Sequence, residues 1–299
     1  MLPPNDTKKI CSLEKTEYGF YQYRPLPSKQ ELQEYYSQKY YQQAKGSYEV
    51  SYSPEEIKYF QLKAELIYKK LSRLRNLGGK KYVLDIGCGE GWVLDRFSKQ
   101  GHKVTGIDFS QYGLKTFNPQ LLPYLEQGDC IELILQKVKN NQRYDIVMLG
   151  NLIEHVLDPV DLLEKIKDIL AQQGVLVIVA PNDFSHLHQH LMDNGIIDKP
   201  FWLSYPDHIS YFNKDSMENL LKSKEFKIEA VVADNPVDMN LLNKNSNYIR
   251  DPEKGKNIHF FRVHTHNFLA DISKDKLLDL YEVLGSMGVG RDLNYFCSQ

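Results

Sequence analysis

The chain has 299 residues, 42% of them hydrophobic, enough for one large domain with elaborations or for two small ones. A formal net charge of −2 argues against bulk nucleic acid as the main partner, which would leave a basic footprint. Cys11, Cys88, Cys130 and Cys297 are scattered without a C-x-x-C pair, so neither a disulfide framework nor a zinc site is expected. The opening Met-Leu-Pro-Pro-Asn has no apolar signal-peptide core, and no apolar run nears the ~18 residues of a membrane span. A cytoplasmic protein without a membrane partner is the expectation.

Residues 1–60 hold 10 of the 20 tyrosines. Glu31 to Gln43 reads as a helix opening after Ser28, with Tyr35, Tyr36, Tyr40 and Tyr41 on one broad face. That face packs on the core, and the same segment can serve as a lid over a ligand or as a homodimer contact. A second helix, Pro54 to Asn76, starts at a Ser53 cap with proline in its first turn and should cover one face of a sheet. The first strand of that sheet is read in Val83, Leu84 and Ile86, followed by Gly87, Gly89 and Gly91 at every second position. Glycines there allow positive φ and close approach of a ligand, while the helix from Trp92 aims its free N–H groups at it. Val104 to Asp108 reads as a second strand, a third lies around Tyr124 to Glu126, Tyr144 to Asn151 contains a fourth, and Gln173 to Pro181 a fifth. The fifth is apolar throughout, as a parallel strand buried on both faces should be. A sixth strand at Phe226 to Val232 follows the helix Asp215 to Ser223, which Asn213 caps.

The spacing of the glycines separates two classes of ligand. A dinucleotide site wants G-x-G-x-x-G, with a pyrophosphate on the helix N-terminus. Here the third glycine comes one residue early, and Asp85 stands on the strand before the turn. A carboxylate there repels a diphosphate and suits a zwitterionic ligand carrying a cation, which favours S-adenosylmethionine over NAD. Asp108, roughly 20 residues further on, is placed to accept both ribose hydroxyls.

Together these motifs resemble class I S-adenosylmethionine-dependent methyltransferases. The resemblance implies a Rossmann-like α/β fold: a seven-stranded, mostly parallel sheet flanked by helices, with an N-terminal lid and a helical insertion before the last strand. It implies S-adenosylmethionine as cofactor and S-adenosylhomocysteine as product. The implied cofactor contacts are Asp85, Gly87, Cys88, Gly89 and Gly91 at the turn; Asp108, Phe109 and Ser110 after the second strand; Asp129 and Cys130 beside the adenine; and Gly150, Asn151 and His155 after the fourth strand. Trp202 to Phe212, with its Pro-x-His-x-x-Tyr-Phe, resembles a subgroup associated with sugar and polysaccharide precursors. The implied acceptor is a small molecule, sugar-linked and methylated on oxygen; quinone or other aromatic O-methylation, or N- or C-methylation, is the alternative. No N-P-P-Y-type tetrapeptide follows the fourth strand, where Gly150-Asn-Leu-Ile stands, which argues against nucleic-acid or protein methylation. A non-catalytic binding protein of the same fold is the reading of another class, and the full set of acids and glycines argues against it.

An oxygen acceptor needs a base. His208, in a polar aromatic loop after the fifth strand, is the first candidate, with His155 as the second. The run His186, His188, His190 suggests metal only superficially, because helical positions two apart do not face each other and no cysteine or acid cluster completes a ligand set. No metal is expected. Gly288 to Cys297 reads as a glycine turn into the last strand. Residues 1–60 are then an aromatic-rich arm or lid, 61–233 the core, 234–287 a helical insertion capping the acceptor side, and 288–299 the last core strand. An independent C-terminal domain is the alternative.

Overall fold

The computed structural model describes residues 12–28, 30–32 and 51–299. The expected helix through Tyr35, Tyr36, Tyr40 and Tyr41, and with it most of the aromatic arm, lies outside the described residues.

Seven strands form the main sheet: β3 Tyr82–Ile86, β4 Lys103–Asp108, β5 Leu125–Gln127, β6 Tyr144–Gly150, β7 Leu170–Pro181, β9 Lys227–Ala233 and β10 Asp292–Ser298. Their spatial order is β5-β4-β3-β6-β7-β10-β9. The first five run parallel, and β10 lies antiparallel between β7 and β9. The fold class is therefore the Rossmann-like one expected from the motifs. The chain leaves β3 toward β4 and β5, then returns to place β6 on the other side of β3. This reversal opens a crevice at the carboxyl ends of β3 and β6, where open α/β sheets hold their ligands.

Burial explains the strand sequences. Val83, Leu84 and Ile86 of β3, Ile146 to Leu149 of β6 and Val175 to Ala180 of β7 are all buried, because helices cover both faces of the sheet. On one face lie α1 Pro54–Leu74, α2 Trp92–Lys99 and α8 Gly255–Ser286. The Ser53 hydroxyl accepts from the Glu56 N–H while the Glu56 carboxylate accepts from the Ser53 N–H, a reciprocal cap that fixes where α1 starts. α8 breaks at Ser273, whose φ of −167° and ψ of 112° are extended. It crosses β9 closely: a Cβ on Gly285 would stand 2.4 Å from the Val231 carbonyl oxygen. The other face carries α4 Cys130–Lys139, α5 Pro159–Lys167 and α7 Lys214–Ser223, the last capped by Asn213 through the Ser216 N–H. Two shorter helices, α3 Tyr112–Phe117 and α6 His186–Asp193, pack at the sheet's carboxyl edge.

A second, antiparallel sheet has the order β1-β2-β8, from β1 Ser12–Lys15, β2 Tyr21–Arg24 and β8 Ser210–Tyr211. The sequence reading did not contain it. The hairpin β1–β2 grips the Pro-x-His-x-x-Tyr-Phe segment: the Gln22 side-chain amide donates to Ser210 Oγ at 3.0 Å and to the Leu157 carbonyl at 3.3 Å. No helix among the described residues is long and apolar enough to cross a membrane.

Candidate active site

The turn after β3 takes positive φ at Gly87 (73°), Gly89 (51°) and Gly91 (78°), a backbone that side chains resist. Its N–H groups tie it to the neighbouring strand. Gly87 and Cys88 donate to the Ile107 carbonyl at 2.8 and 3.1 Å, and Gly89 donates to Asp108 Oδ2 at 2.9 Å. The other carboxylate oxygen of Asp108 accepts from the Ser110 N–H at 2.9 Å. Two backbone donors thus fix the carboxylate's orientation, and its remaining lone pairs can take ligand hydroxyls. Gly91 is the N-cap of α2 and supplies no side-chain oxygen, so the first-turn N–H groups remain for a ligand. Behind the turn sits Gly113 of α3, where a Cβ would lie 2.5 Å from the Gly89 carbonyl oxygen. Only a residue without a side chain lets α3 back the turn this closely.

A cavity of about 700 Å³ opens over this turn, within the ~300–1,000 Å³ usual for small-ligand sites. Asp85, Gly87, Cys88, Gly89, Asp108, Phe109, Asp129, Cys130, Gly150, Asn151 and His155 all line it. Gly91 and Ser110 do not reach its wall and act through the cap and the Asp108 bond just described. Burial and the neighbouring Asp108 push the Asp85 carboxyl up to about 7. Asp129 caps α4 by accepting from the Glu132 N–H. Burial raises the thiols of Cys88 and Cys130, the latter to about 12, so both are neutral wall atoms and not nucleophiles.

Other lining residues were not singled out in the sequence. The Glu90 carboxylate accepts from the Tyr52 hydroxyl at 2.7 Å and the Trp92 indole N–H at 2.5 Å, and Phe60 stacks on Trp92 at 5.8 Å. Burial raises Glu90's pKa against those two donors. Lys63 stands 3.6 Å from Asp234 and 3.5 Å from Asp292. Glu90 and Trp92 lay inside the glycine motif and could have been found there; Tyr52, Phe60 and Lys63 carried no local signal.

The two candidate bases come together, though not as expected. His155 lines the cavity, whereas His208 stands off its wall, edge-on to the His155 ring at 4.8 Å between centroids. The loop that carries His208 is tied back to Glu154, whose backbone carbonyl accepts from the Ile209 and Ser210 N–H groups. His155 Nδ1 lies 2.6 Å from the Asp207 carbonyl oxygen. A carbonyl can only accept, so Nδ1 carries the hydrogen and the lone pair of the neutral ring belongs to Nε2. Burial pulls His155 down despite Asp207, and burial with His155 and Arg291 pulls His208 down to about 3. His208 is therefore neutral at pH 7 and, by itself, a feeble proton acceptor. Glu154 is pushed well above the usual carboxylate range by burial.

The His186, His188, His190 run does not form a cluster. His188 is buried, 2.9 Å from the Asp238 carboxylate and stacked on Trp202, while the His186 side chain is 89% exposed.

A family model described as a methyltransferase domain matches residues 59–231. The chain belongs to that family. The chain is 32% identical over 108 residues to a ubiquinone biosynthesis O-methyltransferase of Yersinia pestis (strain Pestoides F), which covers 34% of this chain and 43% of that relative. It thus spans less than half the length of the curated relatives it matches. Among solved structures it is similar to a SAM-dependent methyltransferase from Archaeoglobus fulgidus (20% identity, 79% of this chain and 94% of that one, TM-score 0.47). It is also similar to magnesium protoporphyrin IX methyltransferase from Synechocystis PCC 6803 with bound SAH (16% identity, 68% and 92% coverage, TM-score 0.47).

Proposed function

We propose that this methyltransferase moves the methyl group of S-adenosylmethionine onto an oxygen of a small hydroxylated molecule. The observation that carries the reading is a single cavity that joins the glycine turn, Asp85, Asp108 and Asp129 to His155. The three acids suit a cationic nucleoside ligand: Asp108 for the ribose, Asp129 for the adenine amino group, Asp85 on the side of the ammonium. Methyl transfer from a sulfonium is an in-line displacement with an activated donor, so alignment supplies much of the catalysis, up to ~7–11 kcal/mol. Loss of the acceptor's proton falls to the Glu154, His155 and His208 cluster.

The acceptor is the finer question. An aromatic diol, as in quinone precursors, suits the flat wall of Tyr52, Phe60, Trp92 and Phe109, and the Yersinia relative is by name an O-methyltransferase. A sugar or sugar nucleotide suits the carboxylates Glu90, Asp158 and Asp161, which also line the cavity, and the Trp202 to Phe212 resemblance supports it. Both offer neighbouring hydroxyls. Release of S-adenosylhomocysteine over a panel of catechols, quinols and nucleotide sugars tests the reading, with the product's methylated atom assigned by NMR. Turnover of amines alone would refute oxygen as the acceptor atom.

A further inference from the structure

We propose that Glu154, His155 and His208 bind one divalent transition-metal ion, on which two adjacent oxygens of the acceptor are held for methyl transfer. The inference rests on the methyltransferase reading and changes the part the histidines play within it, from proton acceptors to ligands.

The donor atoms of the three residues all lie within 4.8 Å of one another. Carboxylate oxygen and imidazole nitrogen bind such ions at ~2.0–2.2 Å, so three donors around one ion end ~3.0–3.6 Å apart, and the set closes on an ion with side-chain shifts of about 1 Å. The carboxyl oxygens of Glu154 and Nδ1 of His208 are buried and have no hydrogen-bond partner among the described residues. Buried polar groups without partners are rare and call for an explanation. A cation supplies the missing partner to both at once. The His155 Nδ1–H bond to the Asp207 carbonyl is the outer support that metal-binding imidazoles have, and it turns the lone pair of Nε2 toward Glu154, 3.8 Å away. The loop that carries His208 is held in place from two sides: the Glu154 carbonyl accepts from the Ile209 and Ser210 N–H groups, and the Gln22 amide of the small sheet donates to Ser210 Oγ. Two histidines and one carboxylate leave further coordination positions open.

An acceptor with neighbouring hydroxyls fills two of these. The ion lowers the pKa of the coordinated hydroxyl, which gives its proton to solvent. The resulting oxygen lone pair forms the new O–C bond as the C–S bond breaks, and that bond's electron pair returns to sulfur, leaving a methyl ether and S-adenosylhomocysteine.

The test is titration of the chelator-stripped full chain with Mn²⁺, followed by EPR of the free ion. Glu154→Gln, His208→Ala and His186→Ala are run in parallel, and S-adenosylhomocysteine affinity is measured for each. One ion per chain is expected, with affinity lowered at least about tenfold in the first two variants and unchanged in the third. Unchanged S-adenosylhomocysteine affinity shows that the variants remain folded. No Mn²⁺ binding by the parent chain, or binding that Glu154→Gln and His208→Ala both leave intact, overturns the proposal. Failure of the parent chain to bind S-adenosylhomocysteine overturns instead the reading on which it rests.

Discussion

Replacing Gly113 by alanine tests whether the glycine turn is a shaped surface held from behind. The added Cβ meets the Gly89 carbonyl oxygen at 2.5 Å and the Glu90 nitrogen at 3.0 Å, where ordinary contact begins at 3.4 Å. Nearly 1 Å must therefore be made up, and both neighbours are backbone. Overpacking of this kind costs about 1–3 kcal/mol. Either α3 retreats, which lowers stability alone, or the turn advances into the cavity and spoils the alignment of its N–H groups with the cofactor. Because Gly89 is anchored to Asp108, an advance also drags the carboxylate proposed to hold the ribose. We expect the affinity for S-adenosylhomocysteine to fall at least about tenfold, equivalent to ~1.4 kcal/mol. Calorimetric titration measures it, and thermal melts follow stability. Gly101→Ala is the control: with φ of 81° and nothing within 4 Å of its Cβ, it carries backbone strain alone and should lower stability without touching affinity. A Gly113→Ala protein of reduced stability that binds S-adenosylhomocysteine as before would refute the view that α3 sets the turn's shape.

Asp108→Ala removes a carboxylate that accepts from Gly89 and Ser110, so S-adenosylhomocysteine binding should weaken by ~2 kcal/mol or more in calorimetry; unchanged affinity would exclude it from the ribose site. Asp85 keeps its proton in the fold up to about 7 but releases it near 3.8 when free, so the folded state holds the extra proton between those values and loses stability as pH rises through that window. Asp85→Asn should flatten that slope in urea melts. On the proposed placement of the ammonium beside Asp85, the ionised form attracts it, so affinity should climb through pH ~7 in the parent and stay level in Asp85→Asn. Ser53→Ala unmakes the reciprocal cap of α1 and should lower stability by about 1 kcal/mol in denaturant titration, with cofactor affinity unmoved.

The sequence was most legible where one residue's role follows from its neighbours. The apolar runs of β6 and β7, the positive-φ glycines and the acids at strand ends are local patterns, and the last two stand at the carboxyl ends of the strands, where the crevice opens. The helical character of the segment before the last strand was legible, but not the break of its long helix at Ser273. What escaped was long-range. The small sheet pairs Tyr21 with Tyr211, and two-residue β8 carries too little pattern to be read as a strand without its partner. The loop after β7 was expected to turn His208 toward the acceptor. Only the bonds from Ile209 and Ser210 back to the Glu154 carbonyl, made across the fold, set it edge-on to His155 instead. Tyr52 and Phe60 reach the cavity because α1 packs along α2, a matter of helix placement that no short window records.

The antiparallel strand β10 also bears on how the protein is made. Within the main sheet, β9 has β10 as its hydrogen-bonded neighbour, and β10 reaches that place only after the long helical segment has been threaded. During synthesis, the outer edge of β7 therefore stays unpaired until Asp292–Ser298 has been made. Unpaired edges are the surfaces through which chains join one another. The last strand to be made, Asp292–Ser298, is therefore also the one that covers the outer edge of β7 and pairs β9 into the sheet.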